Sequence, residues 1–475
     1  MLTLGHILAA LTGFPADANT RPVASVVTDS RLVGADSLFV AFVGEQHDGH
    51  TFVPEAFARG AAAVLVERPL VGWPVVDCRS GMLPGMEMPA GPVQIWVENT
   101  LPALQQLARY WRQLFSVRVT GITGSVGKTT TKELIGAVLS QRYCTLKSEG
   151  NQNNEIGLPL TLLRLRPKHA QVVLEMGMYV PGDIRLLCDI ARPQVGVLTL
   201  VGSVHMERAG SLEALIAGKR ELVEALPPHG VAVLNYDEPL VMGMAPFTAA
   251  RVFTYGLDRR ADVWADDIIS LGLQGMRFRL HYAGETISVH MPLLGRHNVH
   301  TALRATAVGL IEGLGWDEIA TGLREYRDQL RLLVVEGPHG SLILDDTYNA
   351  SPESTLAALN LLRELDGRRV AVLGDMLELG SAETEGHQIV GRRAAAVADV
   401  LIAVGPRARI IGQAALAAGL PPDRLSFAQD VAAAIPLVND VVGPGDIILI
   451  KGSHGARLDR LVTALAQPER QGRLA

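Results

Sequence analysis

The sequence predicts an α/β protein of three domains: a central parallel-sheet unit built around a glycine-rich loop, a small amino-terminal α/β unit and a C-terminal Rossmann-like α/β unit. Three observations carry this. Short apolar runs rich in β-branched residues alternate with segments of helical spacing along most of the chain, the pattern of right-handed βαβ units. One such run, Val117–Ile122, enters the glycine-rich stretch Gly121–Lys132, GITGSVGKTTTK. Finally, 475 residues exceed one ordinary hydrophobic core.

In order along the chain, Met1–Gly13 reads as a first helix. It lacks the basic flank of a secretion signal and is followed by Pro15, Asp17 and Asn19. Ser37–Val43 reads as a strand, Phe52–Arg59 as a helix and Ala61–Val66 as a buried strand. The Gly-, Pro- and Met-rich stretch Gly81–Gly91 reads as a loop near a boundary. Asn99–Leu114 has helical spacing, as has Thr130–Arg142 beyond the glycine loop. Strands at Val172–Glu175, Val195–Val201 and Val231–Leu234 then alternate with helices at Gly182–Ile190 and Leu212–Leu226. Val263–Leu293 alternates polar and apolar residues around Gly275 and Gly284, which predicts a small antiparallel patch. Helices follow at His297–Leu314 and Asp317–Tyr326. A last series has strands at Ser341–Leu344, Val370–Leu373, Leu401–Val404 and Ile447–Ile450, with helices at Glu353–Leu365 and Gly386–Ala396. Domains of residues 1–95, 96–327 and 328–475 fit this order.

Composition narrows the function classes. A hydrophobic fraction of 48% with 19% charged residues is that of a folded globular chain. The formal net charge of −6 gives no electrostatic footprint for nucleic acid, so phosphate-bearing ligands must be held by local features. Cys78, Cys144 and Cys188 have no metal-ligand spacing and read as reduced thiols. No run approaches the roughly 20 apolar residues that span a bilayer. A cytoplasmic monomer without membrane insertion is expected.

A strand, a glycine loop and a helix together aim backbone N–H groups and a positive helix end at an anion. In Thr123-Gly124-Ser125-Val126-Gly127-Lys128-Thr129-Thr130, Lys128 is placed to reach β- and γ-phosphates, and a threonine hydroxyl to bind Mg²⁺. The usual spacing wants glycine five positions before Gly127, where this chain has Ile122. This tighter TGxxGKTT form resembles that of Mur ligases and folylpolyglutamate synthetases, which form an amide bond at the expense of ATP. Gly150–Leu163 (GNQNNEIGLPLTLL), Leu344–Ser354 (LDDTYNASPES), Leu373–Gly380 (LGDMLELG) and Lys451–Arg457 (KGSHGAR) resemble segments of the dipeptide-adding branch of the Mur ligase family. The likeness runs from about residue 23 to the C-terminus.

The resemblance implies ATP and Mg²⁺ as cofactors, with two metal ions, and UDP-N-acetylmuramoyl-tripeptide and D-alanyl-D-alanine as substrates. Glu175 ends an apolar strand at the edge where open α/β sheets bind ligands, and the family's glutamate here binds Mg²⁺; a strand-end surface carboxylate is the plainer alternative. His205, after the strand Val195–Val201, matches a metal-binding histidine. Lys219 reads by spacing as a solvated helical lysine, whereas most of the family carries a carbamate there, an anion able to hold the second metal. Arg220 adjoins it, and the spacing to Glu221 favours Lys219.

Asn298 matches the family's adenine-pairing asparagine, with helix capping as the alternative, and Thr301 replaces a second asparagine common in relatives. Arg331 matches a nucleotide-contacting arginine, although Leu330 precedes it where relatives usually have glycine. Adjacent strand residues face opposite ways, so of Asp345 and Asp346 only one faces a ligand; Asp346 and Tyr348 share a face and fit nucleotide contacts. Asn349 and Ser351 read as turn and cap residues.

Asn151, Asn153 and Asn154 join the substrate set, Lys451 or His454 could pair the dipeptide carboxylate, and Ser30 and Arg31 are candidates for the UDP moiety, against a plain turn-and-salt-bridge reading. A diaminopimelate- or lysine-adding Mur ligase is the near rival, disfavoured by GDMLELG where that enzyme carries its amino-acid-selecting segment. Folylpolyglutamate synthetases lack the amino-terminal UDP-binding domain. A nucleotide-gated switch would need no set of Glu175, His205 and Lys219.

Overall fold

A computed structural model describes residues 1–13, 21–44, 47–79, 89, 91–202, 210–326 and 333–466. Their strands form three sheets. The amino-terminal sheet is wholly parallel, in the order Ser25–Val27, Ser37–Val40, Ala63–Val66, Val93–Trp96, Val75–Asp77. The two short strands at its far edge escaped sequence reading, because three or four residues among prolines and glycines carry too little periodicity.

The central sheet has nine strands. Five parallel strands at its heart run Val231–Asn235, Val195–Leu198, Arg118–Thr123, Gln171–Glu175 and Thr145–Lys147. On the other side Arg251–Gly256 pairs parallel with Val231–Asn235. The antiparallel hairpins Val263–Ser270, Met276–Tyr282 and Glu285–Met291 follow. The expected antiparallel patch is present and continuous with the central sheet. Tyr255↔Val263 and Gly256↔Trp264 pairing welds it to the parallel sheet.

The C-terminal sheet runs Leu333–Glu336, Leu342–Asp346, Ile447–Lys451, Arg369–Gly374, Val400–Val404, Leu425–Ala428, with only the first strand antiparallel. The last strand in chain order, Ile447–Lys451, thus lies between the strands ending in Asp346 and Gly374. Ser453 ties all three strand ends together. Its N–H donates to the Asp375 carbonyl at 3.0 Å, and its hydroxyl accepts from the Leu377 N–H at 2.9 Å and donates to the Ala350 carbonyl at 3.3 Å.

The helix after the glycine loop spans Lys128–Leu139, beginning two residues earlier than its spacing suggested, because Gly127 adopts φ +84° and serves as its N-cap. This helix is nearly all buried, packed under the helices Asn298–Ile311 and Trp316–Glu325. The closeness has a checkable cost. A Cβ at Gly322 would lie 2.6 Å from the Val138 Cα, where backbone cannot give way as a flexible side chain would. Gly322→Ala is expected to destabilise the protein by about 1–3 kcal/mol through overpacking, read as a lower denaturant midpoint with unchanged slope. An unchanged midpoint would show that this helix pair is looser than described.

Candidate active site

The strand Arg118–Thr123 lies between Gln171–Glu175 and Val195–Leu198, so its loop leaves the sheet where strand order reverses, the position at which open α/β sheets bind ligands. Ile122 is fully buried within that strand, which explains the missing glycine: the loop proper starts only at Gly124. Gly124 has φ +143°, and a Cβ there would meet the Thr199 Oγ1 at 1.9 Å, so glycine alone lets the loop press against the neighbouring strand end. Ser125 locks the contact. Its N–H donates to the Leu200 carbonyl at 2.8 Å, and its Oγ accepts from the Gly202 N–H at 2.9 Å. The Lys128 Nζ donates to the Gly124 carbonyl at 2.9 Å. Thr123, placed in the nucleotide set from sequence, is corrected. It is wholly buried, and its hydroxyl donates to the Met176 carbonyl at 2.9 Å, a brace between two strands.

A cleft of about 500 Å³ opens between the loop and the C-terminal sheet. Seven of the predicted nucleotide contacts line it: Ser125, Val126, Gly127, Thr130, Asn298, Asp346 and Tyr348. Asn298 is the first helical residue and not the cap, which is His297; its Nδ2 donates to the Leu294 carbonyl at 2.8 Å. Asp345 turns away as strand alternation requires, and its Oδ1 accepts from the Thr347 N–H and hydroxyl. Ser351 caps the helix Pro352–Glu364, and the Asn349 side chain accepts from the Ala350 N–H, both structural as expected.

Lys451 requires a correction. Assigned from sequence to a dipeptide carboxylate, it is 2% exposed and lines this larger cleft, its ammonium 2.7 Å from the Asp346 Oδ2 and 2.8 Å from the Asn349 carbonyl. A lysine so buried must be paired, and Asp346 is the nearest acceptor the strand pairing Asp346↔Lys451 offers. His454 stands exposed on the next turn and lines neither this cleft nor the smaller one beside it.

The smaller cleft, about 170 Å³ and mostly polar, is lined by Lys128, Glu175, Lys219, Asn151, Asn153 and Asn154 among others. Glu175 is 2% exposed, so it is no surface carboxylate. Its Oε2 accepts from the Thr129 hydroxyl and its Oε1 from the Asn153 Nδ2, each at 2.8 Å. Asn153 therefore holds Glu175 and is not a free substrate contact. Asn154 is likewise engaged, its Oδ1 accepting from the Gly157 N–H at 2.9 Å to start the short helix Gly157–Leu162. Asn151 remains exposed at the rim.

Lys219 is 1% exposed, which dismisses the solvated-lysine alternative. Burial, reinforced by the nearby Lys128, pulls its ammonium down to about 7. Its two chain neighbours are engaged elsewhere. Arg220 pairs with Glu224 at 2.6 Å and lies over the Phe247 ring, while Glu221 accepts from the Gly182 and Arg185 N–H groups at the start of the helix Asp183–Ala191.

Among the described residues no three His, Cys, Asp or Glu side chains converge as a metal cluster. The contacting Thr129 and Glu175 oxygens do suit a hard cation that completes its shell with phosphate oxygens and water. His205 and Arg331 lie outside the described residues. In the amino-terminal unit Ser30 is buried at the start of a single 3₁₀ turn, and Arg31 forms an exposed two-pronged pair with Asp29, whose carboxyl it holds down to about 2. Sequence reading missed Arg304, a buried cation lining the larger cleft. The available signal was a lone arginine inside the otherwise small and apolar ALRATAVG.

Lys219 yields a pH prediction. Between pH 7 and about 10 the buried amine is neutral while the unfolded chain still carries it protonated, so unfolding takes up a proton. Stability in bicarbonate-free buffer is expected to rise across that window, and Lys219→Met is expected to flatten the rise. Urea midpoints measured at each pH decide it; equal slopes for both proteins would refute the buried neutral amine.

Three family models match the chain: the Mur ligase family catalytic domain over residues 22–112, the Mur ligase middle domain over 122–309, and the Mur ligase glutamate ligase domain over 330–454. A UDP-N-acetylmuramoyl-tripeptide–D-alanyl-D-alanine ligase of Synechocystis is 38% identical over 444 residues, covering 93% of this chain and 91% of that one. Among solved structures, MurF from Acinetobacter baumannii superposes with a TM-score of 0.83 at 30% identity, covering 97% of each chain. The MurF ligase of Thermotoga maritima in complex with ADP gives 0.77 at 29% identity, over 93% of this chain and 96% of that one. With the phosphate loop, the strand-end carboxylate and the buried helical lysine in the places its own sequence indicated, this chain belongs to the Mur ligase family.

Proposed function

We propose that this protein joins D-alanyl-D-alanine to UDP-N-acetylmuramoyl-tripeptide, converting ATP to ADP and phosphate, in the last cytoplasmic step toward the peptidoglycan precursor UDP-N-acetylmuramoyl-pentapeptide. The observation that carries the reading is the meeting of Lys128, Glu175 and Lys219 in one polar cleft beside the nucleotide-sized one, in a chain similar over nearly its full length to ligases of that name.

A carboxylate is a poor acyl donor because its oxygen leaves badly. Transfer of the ATP γ-phosphoryl group to the tripeptide carboxylate gives an acyl phosphate and ADP. The dipeptide amine then attacks the carbonyl carbon, a C–N bond forms, the C–O bond to phosphate breaks, and the amine gives up a proton. The chain's part is positioning and charge. Lys128 and the loop N–H groups take the β- and γ-phosphate oxygens. Thr129 and Glu175 would hold a first Mg²⁺, and His205 and Lys219 are assigned to a second. When bound, the metal offsets charge on the phosphoryl oxygens.

Lys219 fits that role only as an anion. A neutral amine adds CO₂ through its lone pair and loses a proton, giving a carbamate; the depressed affinity of Lys219 for its proton supports this. Ser30 and Arg31 are assigned to the UDP diphosphate, since Arg31 can trade an exposed partner at little cost. Three domains, 1–95, 96–327 and 328–475, then supply the UDP site, the ATP site and the dipeptide site. We take the working unit to be a cytoplasmic monomer.

The test is phosphate release by the purified protein with ATP, Mg²⁺ and UDP-N-acetylmuramoyl-tripeptide. Release dependent on D-alanyl-D-alanine is expected. Release with diaminopimelate or lysine in place of the dipeptide, and none with the dipeptide, sinks the reading. Lys219→Ala is expected to lower turnover at least about a hundredfold, within the range for losing one charge-stabilising group, while ADP still binds. Full turnover in that variant refutes its role.

A further inference from the structure

Arg304 is a buried cation at the larger cleft that the chemistry above does not use and that, unlike Lys451, forms no ion pair among the described residues. It sits in the second turn of the helix Asn298–Ile311, 4% exposed. Its Nη2 donates to the Thr301 hydroxyl at 2.9 Å, and its guanidinium lies over the Tyr255 ring, 5.7 Å from the centroid. Tyr255 is itself wholly buried, with its hydroxyl donating to the Leu198 carbonyl at 2.8 Å. Among the described residues no carboxylate forms an ion pair with Arg304, and its buried Nε has no hydrogen-bond partner.

The guanidinium also faces the phosphate loop. A Cβ built on Gly127 would stand 3.6 Å from its Nη2 and 3.8 Å from its Nη1. Arg304 lines the cleft together with Ser125, Gly127 and Thr130. A fixed fork of donors so placed matches phosphate oxygens far better than it matches the hydroxyl and ring it touches.

We infer that Arg304 binds the phosphate chain of the nucleotide where the larger cleft meets the phosphate loop at Gly127, Thr301 and Tyr255 holding its fork in place. This rests on a nucleotide occupying the larger cleft, as proposed above. Burial lowers the proton affinity of the guanidinium, with only Tyr255 opposing, yet arginine keeps its proton in proteins. The charge therefore persists in a low-dielectric site and costs stability until an anion meets it.

That cost gives the test two readouts of opposite sign. In Arg304→Met the buried length is kept and the charge removed. The ADP dissociation constant, measured by calorimetry on the full-length protein with Mg²⁺, is expected to rise tenfold or more. The melting temperature without nucleotide is expected to stay level or increase. Should that variant not fold, Arg304→Gln is read in the same way. A rise of less than fivefold overturns the inference. So does a larger rise accompanied by a lower melting temperature without nucleotide, since Arg304 would then be a brace for the loop. Failure of the unaltered protein to bind ADP would instead sink the nucleotide reading of the cleft itself.

Discussion

The hydrogen bond from the Thr129 hydroxyl to Glu175 Oε2 is the contact on which the site depends. It joins the first turn of the phosphate-loop helix to the end of the adjacent strand, two elements more than forty residues apart in sequence. Both groups are buried, so losing either partner would leave a buried polar group unsatisfied. Asn153 closes the other carboxylate oxygen. With both oxygens so directed, Glu175 presents a fixed charge beside Lys128 and not a mobile one.

Geometry upstream makes this contact available. The pairing Ile122↔Glu175 sets the two strand ends level, and Gly124, pressed against Thr199, turns the loop back over them. Gly127 in a left-handed conformation then starts the helix at Lys128, which brings Thr129 round to the carboxylate. On the far side, Gly218 lets the helix Leu212–Glu224 approach until a Cβ would lie 2.4 Å from the Met178 Cε, and this closeness buries Lys219 within reach of the same cleft.

What could be read from sequence followed from how local each signal was. The strand–loop–helix around Gly124–Thr130 carries its own glycines and its own caps, so its place and use were legible, as were Glu175 at a strand end and the opposed facing of Asp345 and Asp346. Pairing partners were not. Asn153, Asn154 and Lys451 looked like free polar groups, yet Glu175, the Gly157 N–H and Asp346 engage them, and each partner lies elsewhere in the fold or in an unmarked short helix. Thr123 failed for a related reason. Membership of a motif does not say which way a side chain points, and strand alternation sends this one into the core. Arg304 was passed over because one arginine in an apolar helix reads as an exposed residue unless the opposite face is known to be covered.

The cleft walls bring together three buried cations, and the chain tolerates each by a different means. Lys451 is neutralised by a partner, Asp346, at 2.7 Å. Lys219 forms no ion pair among the described residues, and it escapes the desolvation cost by releasing its proton near pH 7. A guanidinium has neither recourse at Arg304: it cannot deprotonate, and the groups it touches are a hydroxyl and an aromatic ring. A chain of net charge −6 thus concentrates positive potential where phosphates must lie. The means differ because the tasks differ. A paired lysine fixes the position of a strand end, a neutral one can accept CO₂, and a charge left without a counter-ion gives an arriving anion more binding free energy than a satisfied one could.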